Sequence, residues 1–248
     1  MPLSTKRIAE ISRTDLQTPA AKKAYNQQLF KEVAPQYTRI TRLMSFGRDQ
    51  AWKQQLINML PDADAPTCLD IACGTGDITL ALHERFPAAS INAVDLSEDM
   101  LAICQRRCQH VPQIEILCED MNAMQAPDNT FDFITGGYAI RNSPDLQLTL
   151  REIHRLLKPG GTAVFLDFSR SNNRVLQNIQ LGLLSFWGKL WGRLLHGNPN
   201  IYGYIAASLK SFPARSELQS RCQQAGLVMK KQKLLFFGFL EIILLEKS

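Results

Sequence analysis

The sequence predicts an α/β fold, a doubly wound and largely parallel sheet with helices on both faces. Three observations carry that reading. From residue 67 onward, apolar runs of strand length alternate with helix-length segments. A glycine-bearing turn, Cys73-Gly74-Thr75-Gly76-Asp77, follows the first run, and an acid, Asp95, closes the second. The chain ends on two adjacent strand-like runs, which suits a hairpin at one edge of the sheet.

Taken in order, residues 1–28 are polar, with Lys6, Arg7, Arg13, Lys22 and Lys23, and read as a loose N-terminal arm. Residues 29–60 read as two short helices around Ser45-Phe46-Gly47, because Phe30, Val33, Tyr37, Ile40, Leu43 and Met44 fall at near-helical spacing. The proline-bounded stretch 61–66 is a break. Thr67 to Ala72 is a buried strand, and the helix after the glycine turn runs to about Arg85. Ser90 to Asp95 is the second strand. Ser97 then caps a helix whose first turn carries Glu98 and Asp99, where the dipole favours them. Ile114 to Cys118 and Phe131 to Gly136 are the third and fourth strands. Leu146 to Leu157 is a helix closed by Lys158-Pro159-Gly160-Gly161, and Thr162 to Phe168 is the fifth strand. After an interruption, Ser216 to Ala225 is a helix ended by Gly226, before strands near Val228–Phe236 and Phe239–Glu246. The expected organisation is one domain over 29–248, seven-stranded, with helices at 29–60 and an inserted lid at 169–212.

At 45% hydrophobic and 21% charged, the composition is that of a globular chain able to bury a sizeable core. No apolar run reaches the roughly 18 to 20 residues of a membrane span. Residues 1–28 hold no apolar core of a signal peptide, so a soluble, cytoplasmic protein is expected. Cys68, Cys73, Cys104, Cys108, Cys118 and Cys222 form no CxxC pair and no zinc spacing, so reduced, structural thiols and no metal are expected. The net charge of +5 is uneven: residues 169–216 carry six basic residues and no acid, leaving the remainder near −1.

Ligands of such sheets sit beyond the carboxyl ends of the strands. The segment Asp70-Ile71-Ala72-Cys73-Gly74-Thr75-Gly76 lies there, but it is not GxGxxG, and there is no GK[ST] for a P-loop. Asp95, at the end of the second strand, can accept both hydroxyls of a ribose. Asp120 can accept from an adenine amino group, with apolar Met121 beside the ring. Three consecutive strand ends thus suit a nucleoside without phosphates.

The order DIACGTGD, VDLS, an acid after the third strand and LKPGG before the fifth resembles the class I methyltransferases, which bind S-adenosylmethionine. FKEVAPQYTRITRLMSFGRDQAWK, YAIRN, LDFSR and GNPNIYGYIAASLKSFPARSEL resemble the UbiE/COQ5 family more closely, over about residues 29–227. That family's C-methyltransferases act on ubiquinone and menaquinone precursors. The resemblance implies S-adenosylmethionine as cofactor and S-adenosylhomocysteine as product. It places Asp70, Ala72, Gly74, Thr75, Gly76, Asp95, Leu96, Asp120 and Met121 at the cofactor, with Gly137 where some relatives have a serine. It makes Tyr138, Arg141 and Asn142 the catalytic candidates, although the usual flanking glycine is replaced by Ala139.

Methylation at carbon calls for an acceptor hydroxyl that loses its proton. Arg141 can stabilise the resulting oxyanion, and Asn142 or Tyr138 can orient the ring oxygen. Asp167, a water held by Arg141, and His196 are candidate bases, whereas His154, inside its helix, reads as structural. In 175–195, Leu176, Ile179, Leu183, Phe186, Trp187, Leu190, Trp191 and Leu194 follow helical spacing, with Lys189 and Arg193 off the stripe. That helix either packs on the core or forms an apolar lid for a prenyl tail, its basic face on anionic lipid at the inner face of the membrane. Expected partners are a lipophilic quinol and that transient membrane contact, and a homodimer is compatible with the sequence. Three alternatives stay open: another phenolic or polyketide-like acceptor methylated at carbon or oxygen, an RNA-modifying enzyme, and a fold that binds without catalysis. Nucleic acid is disfavoured, since the aromatics sit at helical spacing and no Asn-Pro-Pro-Tyr-type loop follows the fourth strand.

Overall fold

The computed structural model describes residues 18–198 and 200–248, without the side chains of His196 and Asn200. Residues 1–17 of the arm expected over 1–28, and the side-chain role considered for His196, lie outside the described residues. Helix α1 (Pro19–Val33) begins about ten residues before the expected start. Thr18 caps it, its Oγ1 accepting from the Ala21 N–H, with proline at the first helical position. A 3₁₀ turn leads to α2 (Tyr37–Met44), and α3 (Asp49–Ile57) follows. The alternation then proceeds as β1 (Thr67–Ile71), α4 (Asp77–Arg85), β2 (Ser90–Asp95), α5 (Glu98–Cys108), β3 (Ile114–Cys118), β4 (Phe131–Gly137), α6 (Leu146–Leu156) and β5 (Leu157–Phe168). The insertion forms two helices, α7 (Arg174–His196) and α8 (Asn200–Ser211), where one was expected. Helix α9 (Arg215–Gln224), β6 (Leu227–Leu235) and β7 (Leu240–Lys247) complete the chain.

The strands form one seven-stranded sheet in the order β3-β2-β1-β4-β5-β7-β6. β1 through β5 are parallel, and β7 runs antiparallel between β5 and the edge strand β6. The order reverses between β1 and β4, which opens a crevice at their carboxyl ends. β5 reaches back to Leu157, and its register against β4 breaks between Phe131 and Phe133, so Lys158–Gly161 is a bulged entry instead of a loop.

Leu150, Ile153 and Leu156 of α6 and Leu218 and Cys222 of α9 pack on Ile134 and Phe165 on one face. Trp52, Leu56 and Ile57 of α3 and Ile78 and Leu82 of α4 pack on Phe133, Val164 and Leu166 on the other. A third cluster, with Tyr25, Leu29, Val33, Ile40, Ile201 and Tyr204, joins α1, α2 and α8 into a cap over the carboxyl ends. The expected apolar stripe of α7 splits in two. Leu184, Trp187, Trp191 and Leu195 turn inward, whereas Leu176, Ile179, Leu183, Phe186, Leu190 and Leu194 are exposed. Gly188 allows this packing, since a Cβ there would lie 2.5 Å from the Tyr202 carbonyl oxygen of α8. The six cysteines are free thiols, all buried except Cys118.

Candidate active site

The turn after β1 is shaped by backbone conformations that few residues adopt. Ala72 sits at φ +51°, Gly74 at +56° and Gly76 at +84°. Nothing lies within 4 Å of where a Gly74 Cβ would be, so the turn presents bare backbone to the crevice. Gly76 has a different reason: a Cβ there would approach Cys104 Sγ of α5 to 2.7 Å. Its requirement is therefore the packing of α5 under the turn, and it does not line the recess described below. Asp70 lies beneath the turn, accepting from Thr79 Oγ1 (2.6 Å) and Thr135 Oγ1 (3.2 Å). Burial raises its carboxyl to about 7 against those hydrogen bonds.

Asp95 Oδ2 accepts from the Gly74 N–H at 2.9 Å, and Oδ1 from the Ser97 N–H at 2.8 Å. The carboxylate is thereby fixed at the mouth of a recess lined by Ala72, Gly74, Leu96, Met100, Met121 and Gly137. Asp120 lines its far side, already accepting from Lys23 Nζ (2.6 Å) and from the Asn122 N–H (3.0 Å). Each carboxylate oxygen keeps a second lone pair for an incoming donor. Thr75 is buried and lines a smaller adjoining space with Lys53 and Asp70, its hydroxyl 3.4 Å from that of Thr38. At Gly137 a Cβ would meet Ile78 Cδ1 at 2.7 Å, so a serine could not stand here unless Ile78 moved.

These features fit S-adenosylmethionine on chemical grounds. Asp95 offers a fixed acceptor for ribose hydroxyls, Leu96, Met100 and Met121 an apolar slot for a purine, and Asp120 an acceptor beyond it. Asp70 supplies buried negative charge beside the turn, where a cationic amino acid moiety needs it. The basic residue that lines the recess, Lys23, is already paired with Asp120, which leaves a pyrophosphate poorly matched.

The wall between this recess and the next cavity is the loop after β4. Tyr138 holds φ +57°, an uncommon backbone for a non-glycine residue. It is pinned there by its N–H to Leu166 O (2.6 Å) and by Asn142 Nδ2 donating to its carbonyl (2.8 Å). Its phenol donates to Asp49 Oδ1 of α3 at 3.1 Å. Arg141, 4% exposed, reaches Asp167 Oδ1 through Nε (3.1 Å), and its N–H donates to Asp167 Oδ2 (2.9 Å). Arg141 Nη1 also donates to Ser208 Oγ of α8, and the guanidinium lies over the Phe168 ring. Asp167, which also accepts from the Phe168 N–H (2.8 Å), is thus spent on holding Arg141 and is absent from the cavity wall. That argues against its expected role as a base.

Beyond the loop lies a cavity of about 490 Å³ whose wall is overwhelmingly apolar. Leu29, Val33, Ile40, Phe168, Leu184 and Trp187 line it, and Arg141, Asn142 and Tyr138 meet at its inner end. Phe30, Tyr37, Tyr138 and Asn142 line both spaces, so the two adjoin across these side chains.

Several residues of this site escaped the sequence reading. Lys22, Lys23 and Asn26 of α1 fell within the supposed arm. Lys22 Nζ donates to the carbonyls of Arg141 (3.0 Å) and Ser143 (2.6 Å), and Asn26 Nδ2 to that of Asn142 (2.7 Å). Burial, then repulsion from Arg141, lowers the Lys22 ammonium to about 8. The Thr18-Pro19 pair was a readable helix start. Asp49, Tyr204 and Ser208 carried no signal, because only the cap brings them to the loop.

The fold and these two adjoining spaces define a class I S-adenosylmethionine-dependent methyltransferase. Solved structures agree on the fold: a SAM-dependent methyltransferase from Aquifex aeolicus superposes with a TM-score of 0.61, at 15% identity over 85% of this chain and 98% of that one. Within that class, the chain belongs to the ubiE/COQ5 methyltransferase family, whose model matches residues 18–243. It is 37% identical to the 2-phytyl-1,4-naphtoquinone methyltransferase of Thermosynechococcus vestitus, over 89% of this chain and 98% of the relative. It is 32% identical to the demethylmenaquinone methyltransferase of Thermus thermophilus, over 84% and 95%.

Proposed function

We propose that the protein transfers the activated methyl of S-adenosylmethionine to a ring carbon of a prenylated benzo- or naphthoquinol. The observation that carries this reading is the apolar cavity, which adjoins the cofactor recess across Tyr138 and Asn142 and has Arg141 at its inner end. Its dimensions suit an aromatic ring with the start of an isoprenoid tail. The names of the two relatives above make a naphthoquinol the first acceptor to try. The bound cofactor supplies a sulfonium methyl electrophile. The protein excludes water with the α1–α2–α8 cap, and Arg141 stands at the inner end as a fixed cation for the oxyanion that develops on the ring. Arg141 is preorganised for this, because Asp167, Ser208 and Phe168 hold it before any ligand arrives.

The tail would leave toward Phe46, Phe186 and Phe236 at the cavity's edge. Around that edge the exposed face of α7 and Phe237, 97% exposed, form an apolar patch, accompanied by Arg174, Lys189 and Arg193 on the same helix. Such a surface suits an anionic lipid bilayer, in which a polyprenyl substrate resides. Contact there is made by the apolar face, whereas the sequence pattern assigned it to the basic one. No helix among the described residues is long and apolar enough to cross a membrane.

The test is incubation with S-adenosylmethionine and either reduced demethylmenaquinone or a demethoxy-type benzoquinol, followed by mass spectrometry. Gain of one CH₂ on either quinol supports the reading and names the ring. Cofactor binding without gain on either moves the substrate to another phenolic acceptor. Flotation with anionic liposomes tests the surface, and Phe186→Asp with Phe237→Asp should abolish it. Trp187 is a poor probe, since it turns inward to stack on Phe46.

A further inference from the structure

Asp49 has no role in the reading so far, and its position is unusual. It opens α3 and is 3% exposed. It does not line the quinol cavity, although Ser45, Phe46, Trp52 and Tyr138 around it do. Tyr138, which lines that cavity, donates its phenol to Asp49 Oδ1 at 3.1 Å. Behind Asp49 runs a ladder of alternating charge. Lys53 Nζ lies 2.5 Å from Asp49 Oδ2 and 2.7 Å from Asp77 Oδ2, and Arg107 Nη1 lies 2.6 Å from Asp77 Oδ1.

We propose that Tyr138 and Asp49 form a proton relay that removes the acceptor's hydroxyl proton. This rests on the phenolic-acceptor reading above. The acceptor hydroxyl gives its proton to Tyr138 Oη while the tyrosine's own proton passes to Asp49 Oδ1. The oxyanion electron pair moves into the ring, Arg141 opposing the charge left on oxygen. The adjacent ring carbon forms its bond to the methyl group as the sulfur–methyl bond breaks, its electron pair staying on sulfur. Loss of that carbon's proton to water restores the aromatic ring, and Asp49 returns its proton to the oxygen by the same route. One proton is released per turnover, and no oxidant or reductant is needed.

Three features suit the ladder to a passing proton. When Asp49 becomes neutral, Lys53 keeps Asp77 as counter-ion, so no buried cation is stranded. Burial, then the charge of Asp49, holds the Tyr138 hydroxyl well above its ordinary range. The tyrosine therefore stays neutral and hands protons on, and does not rest as a phenolate. The left-handed backbone at Tyr138, of order 1–3 kcal/mol in strain, is retained where it aims the phenol at Asp49. Of the other buried acids nearby, Asp167 is occupied by Arg141, and Asp70 accepts from Thr79 and Thr135.

The test compares wild type with Asp49→Asn and Tyr138→Phe, using demethylmenaquinol as acceptor. Tyr138→Phe leaves the Asp49–Lys53 pair intact, so the test survives if Asp49→Asn folds poorly. Expected is a fall in kcat of about 10²-fold in each, the lower end for positioned acid–base catalysis. Acceptor KM and cofactor affinity should hardly move, and Asp49→Glu should recover part of the rate. The rate deficit should close as pH rises and the acceptor ionises unaided. The groups facing the relay are Lys53 on its own helix, Tyr37 on α2, Asp77 on α4, Arg107 on α5 and, across Tyr138, Asp167 on β5. A second readout needs no turnover: in a pH titration, bound 1-naphthol, a photoacid, should pass on its excited-state proton faster, and so show more naphtholate emission, on wild type than on Asp49→Asn or Tyr138→Phe. Unchanged kcat, pH profile and naphthol titration in both variants overturn the relay. A wild type that leaves the quinol unmethylated overturns the acceptor reading instead, and the naphthol titration still decides the relay.

Discussion

Replacing Arg141 by alanine tests whether the buried pair at the inner end of the cavity is as preorganised as its geometry indicates. Arg141 and Asp167 have side chains 4% and 2% exposed, so the substitution leaves a carboxylate far from water. Breaking such a pair from one side costs about 3–5 kcal/mol. Asp167 keeps two backbone donors, the N–H groups of Arg141 and Phe168, so the lower end applies, about 3 kcal/mol. For a chain of this size that lowers Tm by about 6–12 °C. The assay is urea and thermal unfolding of wild type, Arg141→Ala and the double variant Arg141→Ala/Asp167→Asn. The double variant should recover much of the loss, because it removes the stranded charge. The sign with pH follows from linkage. Burial raises the Asp167 carboxyl even against Arg141, and removing Arg141 raises it further. A folded-state value above the unfolded one means that the ionised form opposes folding. The penalty is full above the folded value and gone below the unfolded value of about 3.9. The gap between wild type and Arg141→Ala should therefore narrow as pH is lowered. A stability within about 1 kcal/mol of wild type at neutral pH, the size of an exposed pair, would refute the reasoning. So would a gap that widens in acid.

Other expectations concern the cofactor and the chemistry. Arg141→Lys keeps the charge and loses the fork, so turnover should drop at least about 10²-fold while calorimetric cofactor affinity holds; equal loss of both would deny the oxyanion role. Asp95→Ala should raise the Kd for S-adenosylmethionine by about 10²-fold, the worth of one or two charge-assisted hydrogen bonds. Asp70, raised to about 7, should make cofactor affinity fall as pH drops below neutrality, and Asp70→Asn should flatten that profile. The same shift makes the folded apoprotein take up this proton first, so Asp70 opposes folding more as pH rises from about 4 to 7. Lys23→Ala breaks a partly exposed pair worth about 0.2–1 kcal/mol, so stopped-flow should show faster cofactor release with only a modest change in Kd.

What the sequence determined by itself is the scaffold and the floor of the site. The strands β1 to β5, the turn at Gly74 and the strand-end acids Asp95 and Asp120 were legible because their signals are local. Strand periodicity, a capping serine and an acid at a strand terminus each depend on a few neighbouring residues. Tyr138, Arg141 and Asn142 were reached only through the family resemblance of YAIRN, and in the structure they form one short loop beside the cavity. Tertiary structure alone decided the roof. The polar residues of α1 looked like an arm, since Lys22, Lys23 and Asn26 find their partners about a hundred residues away on the loops after β3 and β4. Asp49 and Tyr138 are separated by 89 positions, and Arg141 and Ser208 by 67. The two apolar faces of α7 looked like one stripe, because periodicity shows that a helix has a greasy side and not which neighbour will cover it. Only the seat of α8 against Gly188 turns Trp187 and Trp191 inward and leaves Phe186 and Leu190 outside. Long-range contacts of this kind leave no local pattern, because each partner needs only to fit the surface that the fold happens to bring to it.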